Sequence, residues 1–363
     1  MTDRPVLDVI VVGAGVSGLF AARSLARAGL SVRCLEARER VGGRLHSVEI
    51  GRNAIDLGAT WFWPHEVLVE SVTRDLGLAV FPQAIGGDAL FEPDASGPQR
   101  IQGNPIDVPS SRFAWGAQSL AVRLADELPA GALRLGEPVK TVSIRDDGVE
   151  VESASGTVRA SQVIMAIPPS LAAESISFSP TLPDALKETC ERTLVWMGAT
   201  VKVVATYEEP FWRQEGLAGS AVSYRGPFRE IHDHSGPDER PAALFGFAGA
   251  ANFHGQEMER IGEAFLEQLT RLFGKRASEP KDLFVADWSR ECATTPRVTS
   301  PLASTDTYGH ALFGLPFLER LHWASTETAP AFAGHIEGAI EAGMRAARNT
   351  ERAIRESGPR GHP

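Results

Sequence analysis

A chain of 363 residues suggests two domains or one elaborate domain, and its 43% hydrophobic and 23% charged residues are ordinary for a globular protein. The net charge of −10 and the lack of a basic block argue against nucleic acid as a partner, and no apolar run is long enough to cross a bilayer. Cys34, Cys190 and Cys292 are widely spaced and odd in number, which fits reduced thiols in a cytoplasmic protein without a signal peptide better than disulfides or a metal site.

The first predicted elements are a strand, a glycine turn and a helix. Residues 9–12 form a short apolar run, typical of a parallel strand buried on both faces. A helix pattern follows over about 15–28. Between them, Gly13 permits a tight turn, Gly15 lets the backbone approach a pyrophosphate, and Gly18 allows the helix to pack closely on the strand. Because the glycines stand between a strand and a helix, they predict a dinucleotide site.

A carboxylate and a second glycine pair follow the next predicted strand, over 31–35. Glu36 lies 18 residues after Gly18, close to the spacing of a carboxylate that accepts a hydrogen bond from a ribose hydroxyl. The run Gly42-Gly43-Arg44 resembles the two-dinucleotide-binding-domain flavoproteins, where it contacts the FAD diphosphate and flavin. An arginine is well suited to bidentate phosphate contact. The plain alternatives are a glycine turn without a ligand and a surface turn with a solvated Arg44.

The middle of the chain alternates between two kinds of pattern. Residues from about 68 to 116 are rich in Gly, Pro and Asp and show weak periodicity, and a helix is predicted near 118–127. Strand patterns follow between 139 and 169. Residues 196–292 are β-rich and contain a helix over roughly 255–273.

The end of the chain completes an interleaved organisation. A last helix is predicted over about 334–354, because apolar residues recur there every four positions. The expected fold class is α/β, with a Rossmann-like FAD-binding domain of the two-dinucleotide-binding-domain type interleaved with a smaller α+β substrate domain. The predicted bounds are 1–67, 117–195 and 293–355 for the FAD-binding domain, 68–116 and 196–292 for the substrate domain, and 356–363 for a flexible tail.

Four segments together resemble the flavin-dependent amine oxidase family, the monoamine and polyamine oxidase group. They are Gly13 to Arg44, Asp56 to Trp61, Gly198 to Lys202 with Tyr207 to Trp212, and Ser325 to Ala329 with Gly334 to Ala339. Their order matches the family, the resemblance spans nearly the whole chain, and the third and fourth segments are the more specific. The resemblance implies oxidation of a C–N bond by hydride transfer to flavin N5, hydrolysis of the imine, and reoxidation by molecular oxygen with release of hydrogen peroxide.

The resemblance also assigns roles to residues in the later segments. The N-terminus of the last helix, near Gly334, would stabilise the negative charge of the reduced flavin through its positive dipole end. Lys202 would hold a water that bridges to flavin N5 on the route for reoxidation by oxygen, and Trp288 would pack near the flavin. The alternatives are a capped helix after a plain loop, a lysine whose head group reaches solvent, and an ordinary core tryptophan.

The sequence departs from the family where the substrate would bind. Many members flank the amine with two aromatic rings. By motif alignment, His335 replaces one of these rings, and the other position falls near Val298, which has no ring. His335 is either a donor or base beside the flavin or a packing residue. The cysteine that some members link to flavin would fall near Arg297, and Cys292 comes several residues too early, so FAD is expected to be non-covalent. The short 68–116 segment predicts a smaller lid and a more open site.

The expected catalytic residues are therefore Lys202, His335 and Trp288, with no metal. The expected cofactor contacts are Gly13, Gly15, Val16, Ser17, Gly18, Glu36, Ala37, Arg38, Gly43, Arg44, Leu57, Gly58, Ala59, Thr60, Val139, Ala166, Thr326, Glu327, His335, Ile336 and Ala339. The expected partners are a small-molecule substrate, an amine before other classes, and molecular oxygen, with no nucleic acid and no membrane; a homodimer is left open. The rival functions are a desaturase or oxidase of the same fold that acts on a non-amine substrate, and a non-catalytic FAD-binding protein.

Overall fold

Two large sheets form the frame of the protein in the computed structural model, which describes residues 7–356. The strands are β1 Leu7–Val12, β2 Val32–Leu35, β3 Ser47–Ile50, β4 Asn53–Asp56, β5 Val80–Pro82, β6 Asp88–Glu92, β7 Gln99–Ile101, β8 Ser111–Phe113, β9 Leu133–Arg134, β10 Thr141–Arg145, β11 Gly148–Ser153, β12 Gly156–Met165, β13 Ser177–Ser179, β14 Thr200–Tyr207, β15 Leu217–Ser223, β16 Phe228–Asp233, β17 Ala242–Gly249, β18 Asp282–Asp287 and β19 Leu321–Trp323. The helices are α1 Val16–Arg27, α2 Val67–Asp75, α3 Gln118–Asp126, α4 Pro169–Ser175, α5 Asp184–Arg192, α6 Phe211–Gln214, α7 Met258–Phe273 and α8 Ile336–Glu356.

The first sheet has a parallel centre. Its strands run in the order β13-β10-β11-β12-β1-β2-β9, and β19 also pairs with β12. β1 is parallel to both β12 and β2, so its carboxyl end lies inside the sheet, between two neighbours. Val9, Ile10 and Val11 are fully buried, because α1 and α8 pack on one face and a second apolar cluster covers the other. The glycine turn after β1 therefore lies at the carboxyl ends of the central parallel strands, where α/β proteins bind ligands.

The second sheet is mainly antiparallel, in the order β18-β14-β17-β16-β15-β6-β7. β14 lies between β17 and β18, and one face of the sheet packs against α7. Strands of this sheet come from 88–101 and 200–287, whereas strands of the first sheet come from 7–35, 133–179 and 321–323. The strands of the second sheet thus lie within the bounds predicted for the substrate domain, and those of the first sheet within the bounds predicted for the FAD-binding domain. The domain division itself stays a prediction.

Some element bounds differ from the sequence expectations. α8 begins at Ile336 rather than near Gly334, and α2 runs from Val67 into the segment whose periodicity is too weak to predict a helix. α2 is stabilised from a distance: Glu337, in the first turn of α8, accepts hydrogen bonds from the N–H groups of Leu68 and Val69 at 2.9 and 2.8 Å. The predicted tail lies outside the described residues, except for Glu356 at the end of α8.

No helix within residues 7–356 is long and apolar enough to cross a membrane.

Candidate active site

A cavity of about 310 Å³ lies where the first sheet, α8 and the second sheet meet. Most of the predicted site residues line it. Those that do are Gly13, Gly15, Val16, Ser17, Glu36, Arg38, Gly43, Arg44, Leu57, Gly58, Ala59, Thr60, Ala166, Lys202, Trp288, Thr326, His335, Ile336 and Ala339. The lining joins segments more than 300 residues apart in the chain, so the fold brings the four motif segments to one place.

Four predicted cofactor contacts lie outside this lining. Gly18 packs against the turn itself, since a Cβ there would lie 2.0 Å from the Gly13 oxygen. Ala37 is exposed, and Val139 packs against the apolar cluster on the far face of the first sheet. Glu327 is fully buried behind the cavity wall. Direct contact of these four residues with a cofactor stays a prediction, which the cavity does not support.

Other lining residues were absent from the sequence prediction. Several are large side chains on the substrate side: Trp61, Trp63, Trp196, Met197 and Phe247. Trp196 and Met197 stand before β14, and Phe247 lies on β17, opposite Lys202. Trp61 ends the second motif segment, whereas no motif marks the other four; Trp196, Met197 and Phe247 reach the cavity because the second sheet packs beside it.

The glycine turn leaves room for a ligand beside the start of α1. Gly15 is the residue before α1, and a Cβ built on it would meet no atom within 4 Å. Ser17 and Ser325 both line the cavity, and each has a buried hydroxyl oxygen without a hydrogen-bond partner in the described structure. Free helix N–H groups and unpartnered hydroxyls are suited to a phosphate. This end of the cavity therefore fits the diphosphate of a dinucleotide.

Glu36 holds the turn and still faces the cavity. Its side chain is 5% exposed, and its two oxygens accept hydrogen bonds from the N–H groups of Ala14 at 2.8 Å and Arg38 at 3.0 Å. A carboxylate has about four acceptor sites, so two remain after these bonds. Glu36 can therefore accept from a ribose hydroxyl while it fixes the backbone of the turn.

The Arg44 guanidinium already has a bidentate partner. Two of its nitrogens donate to Glu327 at 2.6 and 3.1 Å, and one is 3.3 Å from the Trp196 oxygen. Burial lowers the pKa of Arg44, but the Glu327 carboxylate outweighs burial and raises this pKa above its ordinary value. Contact of Arg44 with a phosphate therefore stays a prediction, for which the N–H groups not bound to Glu327 or Trp196 remain.

Lys202 is buried in β14, with 1% of its surface exposed. Its Nζ donates to the Gly58 oxygen at 3.0 Å and to the Thr60 hydroxyl at 2.6 Å, and it lies 4.3 Å from the centre of the Phe245 ring. Burial lowers its pKa to about 7, although Asp56 acts in the opposite direction. The alternative of a lysine whose head reaches solvent is therefore wrong. One donor of the ammonium group remains for a water or ligand in the cavity.

Trp288 lines the cavity beside the residues that hold Lys202. Its indole nitrogen donates to the Leu57 oxygen at 3.0 Å, so its single donor is used within the protein. What it offers a ligand is an apolar ring, which is compatible both with packing near a flavin and with a core role.

His335 stands directly before α8 and faces the cavity, with about one third of its side chain exposed. Its Nδ1 lies 2.8 Å from a carboxylate oxygen of Glu66, which is buried. The imidazole centre is 5.3 Å from the Trp63 ring and 6.5 Å from the Trp196 ring. Two indoles and a carboxylate thus surround the residue that replaces an aromatic ring of the family.

The second expected ring position lies away from the site. Val298 is 77% exposed and is absent from the cavity lining, and its N–H donates to Glu174 at 3.0 Å. The neighbouring Arg297 N–H donates to the same carboxylate at 2.9 Å. Cys292 is exposed and also lies outside the lining. Among the described residues, no group of three or more His, Cys, Asp or Glu could hold a metal ion.

Comparison with known proteins assigns the family. The model described as flavin containing amine oxidoreductase matches residues 101–350, and the model described as NAD(P)-binding Rossmann-like domain matches residues 11–75. This chain belongs to the flavin-containing amine oxidoreductases. The predictions of the family, of an α/β Rossmann-type fold and of an FAD-dependent oxidoreductase of the amine oxidase type are thereby confirmed.

Relatives of this flavoenzyme cover most of its length. It is 25% identical to a probable flavin-containing monoamine oxidase A of Dictyostelium discoideum, over 93% of the chain and 96% of the relative. It is 25% identical to putrescine oxidase of Kocuria rosea and 26% identical to L-amino acid dehydrogenase of Synechocystis. Those two alignments cover 96% and 94% of this chain, and 97% and 94% of the relatives. The alignment with the first relative has 445 positions, so that relative carries segments that this 363-residue chain lacks.

Solved structures show the same fold. A structure of putrescine oxidase bound to putrescine has a TM-score of 0.85 at 24% identity and covers 96% of this chain and 99% of its own. Cyclohexylamine oxidase from Brevibacterium oxydans also has a TM-score of 0.85, at 23% identity, and covers 97% of this chain and 100% of its own.

Proposed function

We propose that this flavoenzyme oxidises the C–N bond of a small amine, with molecular oxygen as the electron acceptor. The observation that carries the proposal is the position of Lys202: it is buried in the same cavity as the glycine turn and the start of α8. A buried lysine without a carboxylate in hydrogen-bond contact is costly, and such costs are found mainly at functional sites.

The cofactor would be held along the cavity from Glu36 to α8. Glu36 would bind the ribose of the adenosine, and the diphosphate would lie against Gly15, Ser17 and the start of α1. The N-terminus of α8 would face the isoalloxazine ring, since Ile336 and Ala339 in its first turn line the cavity. When bound, FAD supplies the acceptor for the hydride. Because Cys292 lies outside the lining, we propose that the binding is non-covalent.

Lys202 would act on the oxygen half of the reaction. With Gly58 and Thr60 fixing two of its donors, the third can hold a water at a defined position in the cavity. A cation there favours the negative charge that oxygen gains when it is reduced, and the low dielectric of the site strengthens the effect.

The substrate wall favours an amine with an apolar body. Trp61, Trp63, Trp196 and Phe247 supply aromatic surface, which attracts alkyl groups and also a cation over the ring face. The relatives and structural neighbours include putrescine oxidase and cyclohexylamine oxidase, which supports an amine substrate. Another relative is named as a dehydrogenase, so the electron acceptor needs its own test.

Anaerobic mixing of the FAD-loaded enzyme with a panel of amines tests the function. The panel contains hexylamine, 2-phenylethylamine, putrescine, cyclohexylamine and benzylamine. We expect at least one to bleach the flavin absorbance and, after air is admitted, to yield one hydrogen peroxide per amine oxidised. Bleaching by non-amine compounds alone would support the desaturase alternative, and a protein that never retains FAD would contradict every flavin function. Bleaching followed by negligible peroxide would refute oxygen as the acceptor.

Replacement of Lys202 separates the two half-reactions. We expect Lys202→Met to slow reoxidation of the reduced enzyme by oxygen roughly 10-fold or more, since removal of one preorganised charge costs about that much or more. Bleaching by amine should change much less. The matched control is Lys281→Met, because Lys281 is an exposed lysine that pairs with Glu208 away from the cavity. Reoxidation at the wild-type rate in Lys202→Met would contradict the assigned role.

The cytoplasmic location and the homodimer stay predictions from the sequence. In support of the location, Cys34, Cys190 and Cys292 are all free thiols in the structure.

A further inference from the structure

We propose that His335, held by Glu66, is the base that removes a proton from the substrate ammonium group before the C–N bond is oxidised. The inference rests on the proposed amine oxidase function. A primary alkylamine is protonated at neutral pH and has no lone pair to support loss of a hydride from the adjacent carbon. The site therefore needs either a neutral substrate from solution or a group that takes its proton.

The Glu66 carboxylate fixes which imidazole nitrogen is available. One oxygen lies 2.8 Å from His335 Nδ1, and the other accepts a hydrogen bond from the backbone N–H of Trp63 at 2.8 Å. An ionised carboxylate can only accept, so Nδ1 carries the hydrogen. The lone pair is then on Nε2, for which the structure shows no hydrogen-bond partner among the described residues. His335 thus presents an acceptor nitrogen in the cavity.

A buried carboxylate and an indole ring lie beside the His335 imidazole. Glu66 is 1% exposed, so its negative charge is little screened by solvent. The ring of Trp63 lies 5.3 Å from the imidazole centre, and indole rings attract cations at this distance. A buried carboxylate that orients a histidine and stabilises its imidazolium form is the arrangement found in catalytic triads.

The proton balance is simple. An N–H bond of the substrate ammonium breaks, its electron pair stays on the substrate nitrogen, and the proton forms a bond with His335 Nε2. The substrate becomes a neutral amine and His335 a cation paired with Glu66. Because a third of the His335 side chain is exposed, the proton can then pass to solvent.

Other ionisable groups near His335 have separate roles. They are Arg44 with its partner Glu327, Lys202 in the same cavity, Glu337 on α8, and His65, which stacks on Phe332. Arg44 and Glu327 neutralise each other, and both Glu337 oxygens are taken by backbone N–H groups of α2. Lys202 titrates in the same range as a base would, so a pH profile alone cannot identify His335.

The decisive measurement uses the basicity of the substrate. Flavin bleaching is followed anaerobically at pH 8 with hexylamine and 2-phenylethylamine, which are still protonated there, each beside its 2,2-difluoro analogue, whose weakly basic nitrogen is largely unprotonated. His335→Gln should slow bleaching by the basic amines roughly 100-fold, the scale of general base catalysis, and by the fluorinated amines less than about 3-fold. The loss with basic amines should shrink steadily as the pH is raised towards the pKa of the amine.

Two further variants make the result specific. Glu66→Gln should show the same selectivity for basic amines with a smaller loss, roughly 10-fold, because it removes the charge that orients and stabilises His335. His65→Gln is the matched control, since His65 is exposed and absent from the cavity lining, and it should behave as the wild type. FAD content and the melting temperature are recorded for each variant.

An equal loss with both classes of amine, or a loss that persists at high pH, would overturn the base and leave the amine oxidase function intact. If no panel amine bleaches the wild type, the proposed function fails and the inference fails with it. Should Glu66→Gln not retain FAD, the selectivity of His335→Gln still decides the matter.

Discussion

The two ends of the cavity are built in different ways. At the cofactor end, the turn, the helix start and the carboxylate all come from residues 13–36. The residues in contact, such as Ala14 and Glu36, therefore belong to one short stretch of the chain. At the substrate end, Trp63, Glu66, Trp196 and His335 come from three segments that meet only through tertiary packing. The first end is a local motif that can be recognised without a structure. The second is a product of the whole fold, so it is where relatives of the same family can differ in substrate.

The largest expected effect comes from the glycine turn at the cofactor end, where two alanine substitutions separate helix packing from cofactor binding. A Cβ at position 18 would lie 2.0 Å from the backbone oxygen of Gly13, so Gly18→Ala should cost about 3 kcal/mol of unfolding free energy or more. Gly15→Ala should keep the fold, because its backbone is extended and its Cβ meets open space. It should nevertheless weaken FAD binding about 10-fold or more, which is about 1.4 kcal/mol or more.

Denaturant unfolding and FAD titration measure the two effects. If Gly15→Ala binds FAD as the wild type does, the diphosphate lies elsewhere, and the motif has been misinterpreted.

The ion pair that joins the two ends gives the next effect. Glu327→Gln leaves the partly buried Arg44 without its fully buried carboxylate partner and should cost about 3 kcal/mol of unfolding free energy. FAD retention should fall as well. The control is Glu351→Gln, which removes a surface pair with Arg355 on α8 and should cost less than about 0.5 kcal/mol. Similar stability losses in the two variants would contradict a structural role for the buried pair.

Burial of Lys202 should make the stability of the protein depend on pH, whereas the glycine turn has no titratable side chain and should not. Its folded pKa of about 7 lies below its ordinary value of 10.5, so between these values the unfolded state binds more protons. Stability should therefore rise with pH across this window, relative to Lys202→Met, by at most about 4 kcal/mol between pH 7 and pH 10. Urea unfolding of the FAD-free proteins at both pH values measures the difference. A flat difference would mean that the lysine is not desolvated in the fold.

The smallest effect concerns flavin attachment. Cys292→Ser should leave FAD binding and activity within about 2-fold of wild type, as expected for an exposed residue outside the cavity lining. Acid denaturation should release the flavin from both proteins into the supernatant. Flavin that stays with the precipitated wild type but not with the variant would overturn non-covalent binding.

The sequence predicted the elements with local signals well. The first helix was expected over about 15–28 and runs from Val16 to Arg27, because its apolar periodicity and flanking glycines are sufficient to define it. The family resemblance points to Lys202, but the sequence alone leaves open whether its head group lies in solvent. The structure resolves that point, since Gly58 and Thr60 bind it.

The substrate end was predicted poorly for a physical reason. Glu66 and His335 are 269 positions apart, and neither belongs to a spacing rule that would pair them. Trp196 carries no signal beyond its aromatic character, while the second ring position of the family falls near Val298, which has no ring and is exposed. Side chains that meet only when separate sheets and helices pack have no pattern within either segment.

The starts of α2 and α8 each give a carboxylate to the other. Glu66, just before α2, binds His335, just before α8, and Glu337 in α8 binds the N–H groups of Leu68 and Val69 in α2. Separation of these helices would break three hydrogen bonds together, so we expect the two helix starts to stay in place when a substrate enters. Any motion that widens the cavity for a substrate must then come from residues outside these two helix starts.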